Sequence, residues 1–313
     1  MTGNARSVVV SVVVPTHDRL DKMLRCVASV LSSSDDGTSV EVLVVADRNP
    51  RVKPALADSH PGVVVIESAE KLGSQGARAL GARAARGEFI FFIDDDNVLS
   101  RDCMSTLVRA FRAEPSLGVL GPVSLAYGST DRIWSAGGRF TIFGLARYLH
   151  AGSDLRAARL PELVACDWVP NAYMIRRTLT PQVERVAALF PHIWCEPALC
   201  TEARRLGMSV AVTPRAVTWH DVGYTGPLTR TGEGWTAEQA RSRIVFRRLY
   251  RSGLRSFLSF WALVFPLSSV VYIVRFVRGG HAFREMREYA RGTWSGIRSP
   301  ARYPPVRSAE RAR

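Results

Sequence analysis

The chain has 313 residues, of which 47% are hydrophobic and 22% are charged. This balance is that of a globular protein, and it excludes a fully disordered or collagen-like chain. Lysine and arginine total 42 against 28 acidic residues, and the resulting net charge of +14 favours partners that carry phosphate: nucleic acid, anionic lipid or nucleotide. Five scattered cysteines without a C-x-x-C pair indicate buried thiols in a reducing compartment rather than disulfides or a zinc site.

The first 125 residues alternate strand-like and helix-like segments. Strands are predicted at 7–15, 40–46, 62–68, 88–93 and 116–127, and helices at 18–31, 76–86 and 100–112. Asp18 and Ser100 are the expected N-caps of the first and last of these helices. The alternation predicts an α/β fold with a mainly parallel sheet between helices, which binds its ligand at the carboxyl ends of the strands.

The remaining residues are less regular. Strands are predicted at 166–177 and 208–214, a helix at 198–206, and loops with short strands at 128–165. About the last 30 residues are polar and arginine-rich, and they are expected to be frayed.

An apolar segment at 257–274 has 18 residues without a charge, between arginine-rich flanks. As a helix it would be about 27 Å long, close to the thickness of a bilayer core, although Pro266 and three serines weaken a spanning prediction. Two alternatives stay open. One is a helix or helical hairpin on the anionic inner leaflet, which we favour, and the other is a helix buried against the domain or in a dimer.

The strongest single motif is Asp94-Asp95-Asp96, directly after the predicted strand 88–93. Adjacent carboxylates after a hydrophobic strand are costly unless a cation balances them. Because alternate side chains of an extended segment point the same way, Asp94 and Asp96 can share a face. Carboxylates and substrate phosphates together suit a hard divalent cation, so the motif predicts a metal–diphosphate site. The alternative is a solvated acidic turn or a helix cap.

Four segments together resemble glycosyltransferase family 2, which has the GT-A fold. They are Pro15-Thr16-His17-Asp18-Arg19, Ala46-Asp47-Arg48-Asn49, the glycine-rich GSQGARALG at 73–81, and Asp94-Asp95-Asp96. Their order and spacing are similar to those of the family over roughly residues 7–225, although Ala46 stands where the family has an acid. The resemblance implies an inverting, metal-dependent enzyme that moves a sugar from a nucleoside-diphosphate sugar to a hydroxyl of a glycan or lipid-linked acceptor.

The same resemblance implies roles for individual residues. The residues expected to bind the donor are Pro15, Thr16, Asp18, Asp47, Arg78, Asp94 and Asp95. A divalent cation, Mn²⁺ or Mg²⁺, would be held by Asp94, Asp96 and His220. Asp18 could equally serve as a helix cap, and Arg78 could lie on a solvated helix face.

On the acceptor side, Glu196 aligns with the catalytic acid of the family. A carboxylate there would remove the proton of the acceptor hydroxyl as that hydroxyl attacks the anomeric carbon. The chain departs from the family pattern in having Glu for Asp and in the Pro197 that follows, so Glu196 could instead only stabilise a helix N-terminus. Asp167 is a weaker candidate for the base. Asn171 and Trp194 would contact the acceptor, although Trp194 could also fill the core.

This resemblance divides the chain into three parts: a donor-binding half at 1–125, an acceptor-binding and catalytic half of the same domain at 126–240, and a basic and apolar helical region at 241–313. The last part is expected to associate with the membrane, at the cytoplasmic face of the plasma membrane. A homodimer is an open alternative.

Other functions fit the sequence less well. A nucleotidyltransferase would need a glycine-rich phosphate loop near the N-terminus, and the PTHDR segment is not one. A nucleic-acid-binding protein would need a recognised module with interleaved aromatic residues, which we do not find, so nucleic acid is not expected as a partner. A non-catalytic relative stays open because of Ala46 and Pro197.

Overall fold

The computed structural model describes residues 8–33, 38–141, 146–221, 234–251, 258, 260–278, 282–300 and 303. The elements of the first half are β1 (Val10–Thr16), α1 (Leu20–Ser32), β2 (Val40–Asp47), α2 (Val52–Ser59), β3 (Val64–Ser68), α3 (Gly73–Ala84), β4 (Phe89–Ile93), β5 (Asn97–Leu99), α4 (Cys103–Ala113) and β6 (Leu117–Ala126). Those of the second half are β7 (Ile133–Ser135), β8 (Gly138–Phe140), β9 (Ala146–Tyr148), β10 (Val164–Ala165), β11 (Ala172–Arg176), α5 (Thr180–Ala187), α6 (Cys195–Arg205) and β12 (Ser209–His220). The C-terminal region contains α7 (Trp235–Tyr250), a π-helical turn (Phe260–Val264), α8 (Phe265–Arg278) and α9 (Ala282–Arg298).

Among the described residues, ten strands form one mixed sheet in the order β10-β12-β6-β11-β4-β1-β2-β3, with β5 paired to β12 and β7 to β6. Strands β3, β2, β1 and β4 are parallel, and β11 lies antiparallel between β4 and β6. The structure confirms the α/β fold with a mixed, mainly parallel sheet. Because β11 comes from the second half of the chain, one continuous sheet joins both halves.

The central strands are apolar on both faces because helices cover both. Every residue of β1 and β4 is buried. Val12 and Val14 belong to the core on the side of α1, α2 and α4, whereas Val13 belongs to the core on the side of α3, α5 and α6. Such double burial fixes the position of the strand ends, where the polar residues begin. All five cysteines are free and buried in these layers.

Both predicted N-caps were wrong. Helix α1 begins at Leu20 with Arg19 as its N-cap residue, and the Asp18 side chain is exposed without a capping bond. Helix α4 begins after Asp102, and the Ser100 hydroxyl donates to the Asp102 carboxylate at 2.9 Å rather than to the helix. In both places the helix starts later than the first polar residue of the segment.

Two short helices were missed in the sequence. Helix α2 lies between the strands predicted at 40–46 and 62–68, and α5 lies between the elements predicted at 166–177 and 198–206, two segments for which no element is predicted. Each has eight residues and buries only two side chains, so neither carries enough helical periodicity to be recognised. The predicted strand 166–177 is reduced to β11, because Asn171 adopts a left-handed conformation (φ 54°) just before that strand.

Strand β12 is longer than predicted. It continues past an irregularity between Thr213 and Val217 and pairs antiparallel with β5, so that His220 is opposite Asn97. His220 therefore lies on the strand rather than beyond it. The short strand β5 directly follows the acidic motif, and this pairing brings His220 beside Asp96.

The C-terminal region is partly packed on the domain. Phe246 of α7 is buried in the core, and α9 lies along α7, with Gly292 so close that an added Cβ would lie 2.0 Å from the Ala237 carbonyl oxygen. The prediction of a frayed tail was therefore wrong for 282–298. None of the helices in the part of the chain that the structure describes is both long and apolar enough to cross a membrane.

Candidate functional site

The acidic motif lies at the edge of the sheet where the parallel strands end. β4 runs directly into Asp94, and Thr16 ends the neighbouring β1. Asp95 and Asp96 are buried, whereas Asp94 is partly exposed. The backbone N–H of Asp94 donates to the Asn171 carbonyl at 2.9 Å, which fixes the start of the motif against β11. The carboxylates are thus held on a rigid support.

Asp95 and Asp96 share one cation, the Arg19 guanidinium. Arg19 Nη2 contacts Asp95 Oδ1, and Arg19 Nη1 lies 2.5 Å from Asp96 Oδ2. Thr16 Oγ1 donates to Asp95 Oδ2 at 2.8 Å. Burial raises the pKa of Asp95 to about 6, against the opposing effects of Arg19 and Thr16. Burial also tends to raise the pKa of Asp96, but the opposing effects of His220 and Arg19 are larger together and lower this pKa to about 2.

A second arginine connects the motif to the predicted catalytic acid. The side chain of Arg78, on α3, is only 1% exposed, so the alternative of a solvated helix face is wrong. Arg78 Nη2 lies 2.6 Å from Asp94 Oδ1, and Arg78 Nη1 lies 2.8 Å from Glu196 Oε1. The guanidinium also lies over the Tyr173 ring at 5.5 Å. One buried cation therefore holds the carboxylates of both halves of the chain together.

Glu196 lies in the first turn of α6, which begins at Cys195 rather than at the predicted 198. Pro197 is compatible with this turn, because the first N–H groups of a helix have no partner within the helix. Glu196 Oε2 accepts from the Cys195 thiol at 3.1 Å. The weaker candidate, Asp167, instead accepts from the Phe140 N–H at 2.7 Å and is not linked to Arg78 by any hydrogen bond or ion pair among the described residues.

The predicted metal ligands come together. Ligand atoms of Asp94, Asp96 and His220 all lie within 4.8 Å of one another. His220 Nε2 lies 3.4 Å from Asp96 Oδ1, and its buried Nδ1 has no hydrogen-bond partner among the described residues. Two carboxylate oxygens and an imidazole nitrogen form a donor set that a divalent cation such as Mn²⁺ accepts. The residues present therefore fit the group implied by the sequence.

The formal charges of the contacting side chains also favour a divalent cation at this site. The carboxylates are those of Asp94, Asp95, Asp96 and Glu196, and the guanidinium groups are those of Arg19 and Arg78. Four negative and two positive charges leave two negative charges, and one divalent cation balances two. A buried cluster with unbalanced charge is costly, so this excess favours a cation.

The other predicted donor residues lie around the end of β1 and β2. Pro15 and Thr16 are buried at the end of β1. Asp47 accepts from the Leu72 and Gly73 N–H groups, each at 2.9 Å, and so fixes the N-terminus of α3. Roles for Pro15, Asp18 and Asp47 in donor binding stay predictions.

The predicted acceptor residues are largely inside the protein. Asn171 Nδ2 donates to Asn97 Oδ1 at 2.8 Å, and Asn171 Oδ1 accepts from the Ser124 hydroxyl at 3.1 Å. Trp194 is buried and stacks on Phe140 with a centroid distance of 5.8 Å. Both residues support the site structurally, and direct acceptor contact stays a prediction.

Sequence reasoning missed two residues of the site. Arg19 ends the PTHDR segment, and its position in that motif is the signal that marks it in the sequence. Trp134 is half-buried on β7, and its ring meets the His220 ring edge-on at 4.4 Å. No motif surrounds Trp134, so only the pairing of β7 with β6 brings it to this place.

Comparison with known proteins finds a matching family model and several related proteins. The family model "Glycosyl transferase family 2" matches residues 11–179. The succinoglycan biosynthesis protein ExoO of Rhizobium meliloti is 28% identical over 169 residues, which cover 53% of this chain and 43% of ExoO. An N-acetylglucosaminyltransferase of Azorhizobium caulinodans is 28% identical over 178 residues, which cover 55% of this chain and 43% of that protein. The chain spans less than half the length of these curated relatives.

Two solved structures share the fold. GalNAc-T7 with UDP, GalNAc and Mn²⁺ superposes with a TM-score of 0.60 at 14% identity, over 79% of this chain and 48% of that one. The mannosyltransferase PcManGT from Pyrobaculum calidifontis, in complex with GDP-Man and Mn²⁺, gives a TM-score of 0.55 at 18% identity, over 93% and 81% of the two chains.

Replacing Arg78 by Gln should destabilise the protein strongly, because Asp94 and Glu196 would lose their cation. We expect the free energy of unfolding to fall by about 3 kcal/mol, measured by urea denaturation at neutral pH. The control is Arg83→Gln on the same helix, which removes the exposed pair with Glu184 and should cost less than about 1 kcal/mol. Equal losses for the two variants would contradict a bridging role for Arg78.

Proposed function

The chain belongs to glycosyltransferase family 2, and on that premise we propose that it transfers a sugar from a nucleoside-diphosphate donor to a hydroxyl of a glycan or lipid-linked acceptor. The observation that carries the proposal is the convergence of Asp94, Asp96 and His220 at the strand ends, with Arg78 between Asp94 and Glu196. Residues 1–125 would supply the donor side, and residues 126–240 the acceptor side and the base.

We assign the donor diphosphate to a position beside the acidic motif, at the carboxyl ends of the strands. Asp94, Asp96 and His220 would hold a divalent cation there, and such a cation, when bound, offsets the charge that grows on the leaving diphosphate. The two solved neighbours, whose titles name UDP or GDP-Man together with Mn²⁺, support this assignment. Asp95 does not belong to this ligand group, because Thr16 and Arg19 hold its oxygens.

Glu196 is the proposed general base. In the reaction, the acceptor oxygen forms a bond to the anomeric carbon while the bond from that carbon to the diphosphate oxygen breaks. Glu196 takes the proton of the acceptor hydroxyl in the same step. A single displacement of this kind inverts the anomeric centre. Arg78 and the Cys195 thiol orient the Glu196 carboxylate, one at each of its oxygens.

The first test is a thermal-shift screen of UDP- and GDP-sugars with Mn²⁺ or Mg²⁺. One donor class should raise the melting temperature and lose its effect when EDTA is added. At a ligand concentration of 100 times Kd the stabilisation is about 2.7 kcal/mol. Asp96→Asn should remove the effect, whereas Asp102→Asn, at the exposed start of α4, should keep it. A screen without any stabilising nucleotide sugar would overturn the proposed function.

The second test separates binding from chemistry. Glu196→Gln should lower the release of nucleoside diphosphate from the donor by about 10²- to 10⁴-fold while the affinity for that donor stays unchanged. The matched control is Asp167→Asn, which removes the rival carboxylate and should keep turnover within a few-fold of wild type. Loss of turnover in Asp167→Asn alone would move the base to that residue.

We further propose that the C-terminal region binds an anionic membrane surface, at the inner face of the plasma membrane. Leu267 and Val277 of α8 are 59% and 66% exposed, and Phe283 of α9 is 84% exposed. Arg284 and Arg287, one and four residues after Phe283 on α9, are also exposed. Apolar side chains flanked by arginines match the two layers of an anionic bilayer surface, acyl chains below and phosphates above.

Flotation with vesicles tests this contact. Wild-type protein should bind vesicles containing phosphatidylglycerol and bind phosphatidylcholine vesicles much less. Leu267→Glu combined with Val277→Glu should lower binding about tenfold or more, because each change removes an apolar side chain whose burial in the bilayer is worth ~1.5 kcal/mol or more. The control combines Leu206→Glu with Val64→Glu, two exposed apolar positions elsewhere. Equal binding by both double variants would contradict the proposal.

A further inference from the structure

Arg19 and Arg78 differ in one respect that bears on their roles. Both contact carboxylates of the site, but the Arg78 side chain is 1% exposed whereas the Arg19 side chain is 39% exposed. Arg19 is the N-cap residue of α1, with a backbone outside the helical region (φ −98°, ψ 63°). Arg78 is therefore enclosed by its partners, and Arg19 reaches the motif from the solvent side.

Arg19 uses one of the carboxylates that a cation would need. It contacts Asp96 Oδ2, while Asp96 Oδ1 accepts from Asn97 Nδ2 at 3.2 Å and faces His220. A divalent cation held by Asp94, Asp96 and His220 would share the Asp96 carboxylate with the Arg19 guanidinium. Two positive groups on one carboxylate repel each other, so each weakens the binding of the other to that carboxylate.

The nearby cations have other partners. Lys22 and Arg25, on the same face of α1, both pair with Asp221 just beyond β12, and Lys22 also donates to the Asp221 backbone carbonyl at 2.7 Å. Arg19 differs from them, because its partly exposed guanidinium contacts Asp95 and Asp96 of the acidic motif. A guanidinium fork matches the oxygens of a phosphate as well as those of a carboxylate.

We propose that Arg19 is a counter-cation built into the acidic motif, which opposes cation binding while no donor is bound and pairs with the donor diphosphate when the donor is present. The inference rests on the proposed function and extends it, because it makes metal binding and donor binding mutually dependent. A diphosphate brings two negative charges to the site, which gives Arg19 an alternative partner and leaves Asp96 to the cation.

The experiment compares Arg19→Gln with Arg86→Gln. Arg86 also pairs with a buried carboxylate, that of Glu41, at the opposite end of the sheet, so its loss controls for net charge. Mn²⁺ alone is titrated and followed by the electron paramagnetic resonance of the free ion. In Arg19→Gln the Kd for Mn²⁺ should fall by about tenfold or more, since one positive charge has left the Asp96 carboxylate. In Arg86→Gln it should stay within about twofold of wild type.

The second arm measures UDP and GDP by calorimetry at saturating Mn²⁺. Whichever nucleotide binds wild-type protein should bind Arg19→Gln about tenfold more weakly, because the diphosphate loses a charged partner. Arg19→Lys keeps the charge without the fork, and it should give wild-type Mn²⁺ affinity with an intermediate loss for the nucleotide. If Arg19→Gln does not fold, Arg19→Lys alone carries the test through this nucleotide arm.

The outcomes are distinguishable. If wild-type protein binds Mn²⁺ and a nucleotide, but Arg19→Gln binds Mn²⁺ no more tightly, Arg19 only positions Asp95 and Asp96 and the inference is wrong while the proposed function stands. Unchanged nucleotide affinity in Arg19→Gln overturns the pairing with the diphosphate. If wild-type protein binds neither Mn²⁺ nor any nucleotide, the proposed function falls and the inference falls with it.

Discussion

Four carboxylates meet at the carboxyl end of β4, and their mutual repulsion is the constraint that the surrounding side chains must satisfy. Arg78 satisfies it from inside, between Asp94 and Glu196, and Arg19 from the solvent side, at Asp95 and Asp96. Charges that are removed from water are stable only with close partners and good geometry. The site is therefore held together by ion pairs, and the two negative charges that these pairs leave unbalanced are available to the proposed cation.

The sheet makes this balance possible because it leaves the strand ends little freedom to move. β1 and β4 are buried on both faces, so Thr16 and the acidic motif are carried on rigid supports. β12 brings His220 to the same edge from the far end of the sequence, through its pairing with β5. Preorganised groups of this kind can act on a reacting centre without first rearranging.

Much of this arrangement could be predicted from the sequence, and the reasons for the failures are physical. The strands of the first half and the acidic motif were evident because buried parallel strands have continuous apolar runs and the charged residues after them stand out. The caps at Asp18 and Ser100 were wrong because a polar residue before a helix need not be the one that bonds its N-terminus. The contacts of Arg19 depend on the pairing of β1 with β4, and the place of Trp134 beside His220 depends on the pairing of β6 with both β7 and β12. Which strands become neighbours in the sheet has no local signal in the sequence.

The position of β11 has a further consequence for how such chains can be divided. A strand from the second half lies between β4 and β6 of the first, and Asn171, the residue just before that strand, supports both Asp94 and Asn97. A fragment ending near residue 125 would therefore have a gap in the middle of its sheet and a loosened acidic motif. Any recombination between relatives that exchanges the second half of the chain must supply a β11 that fits its new neighbours, so the two halves cannot be swapped as independent units.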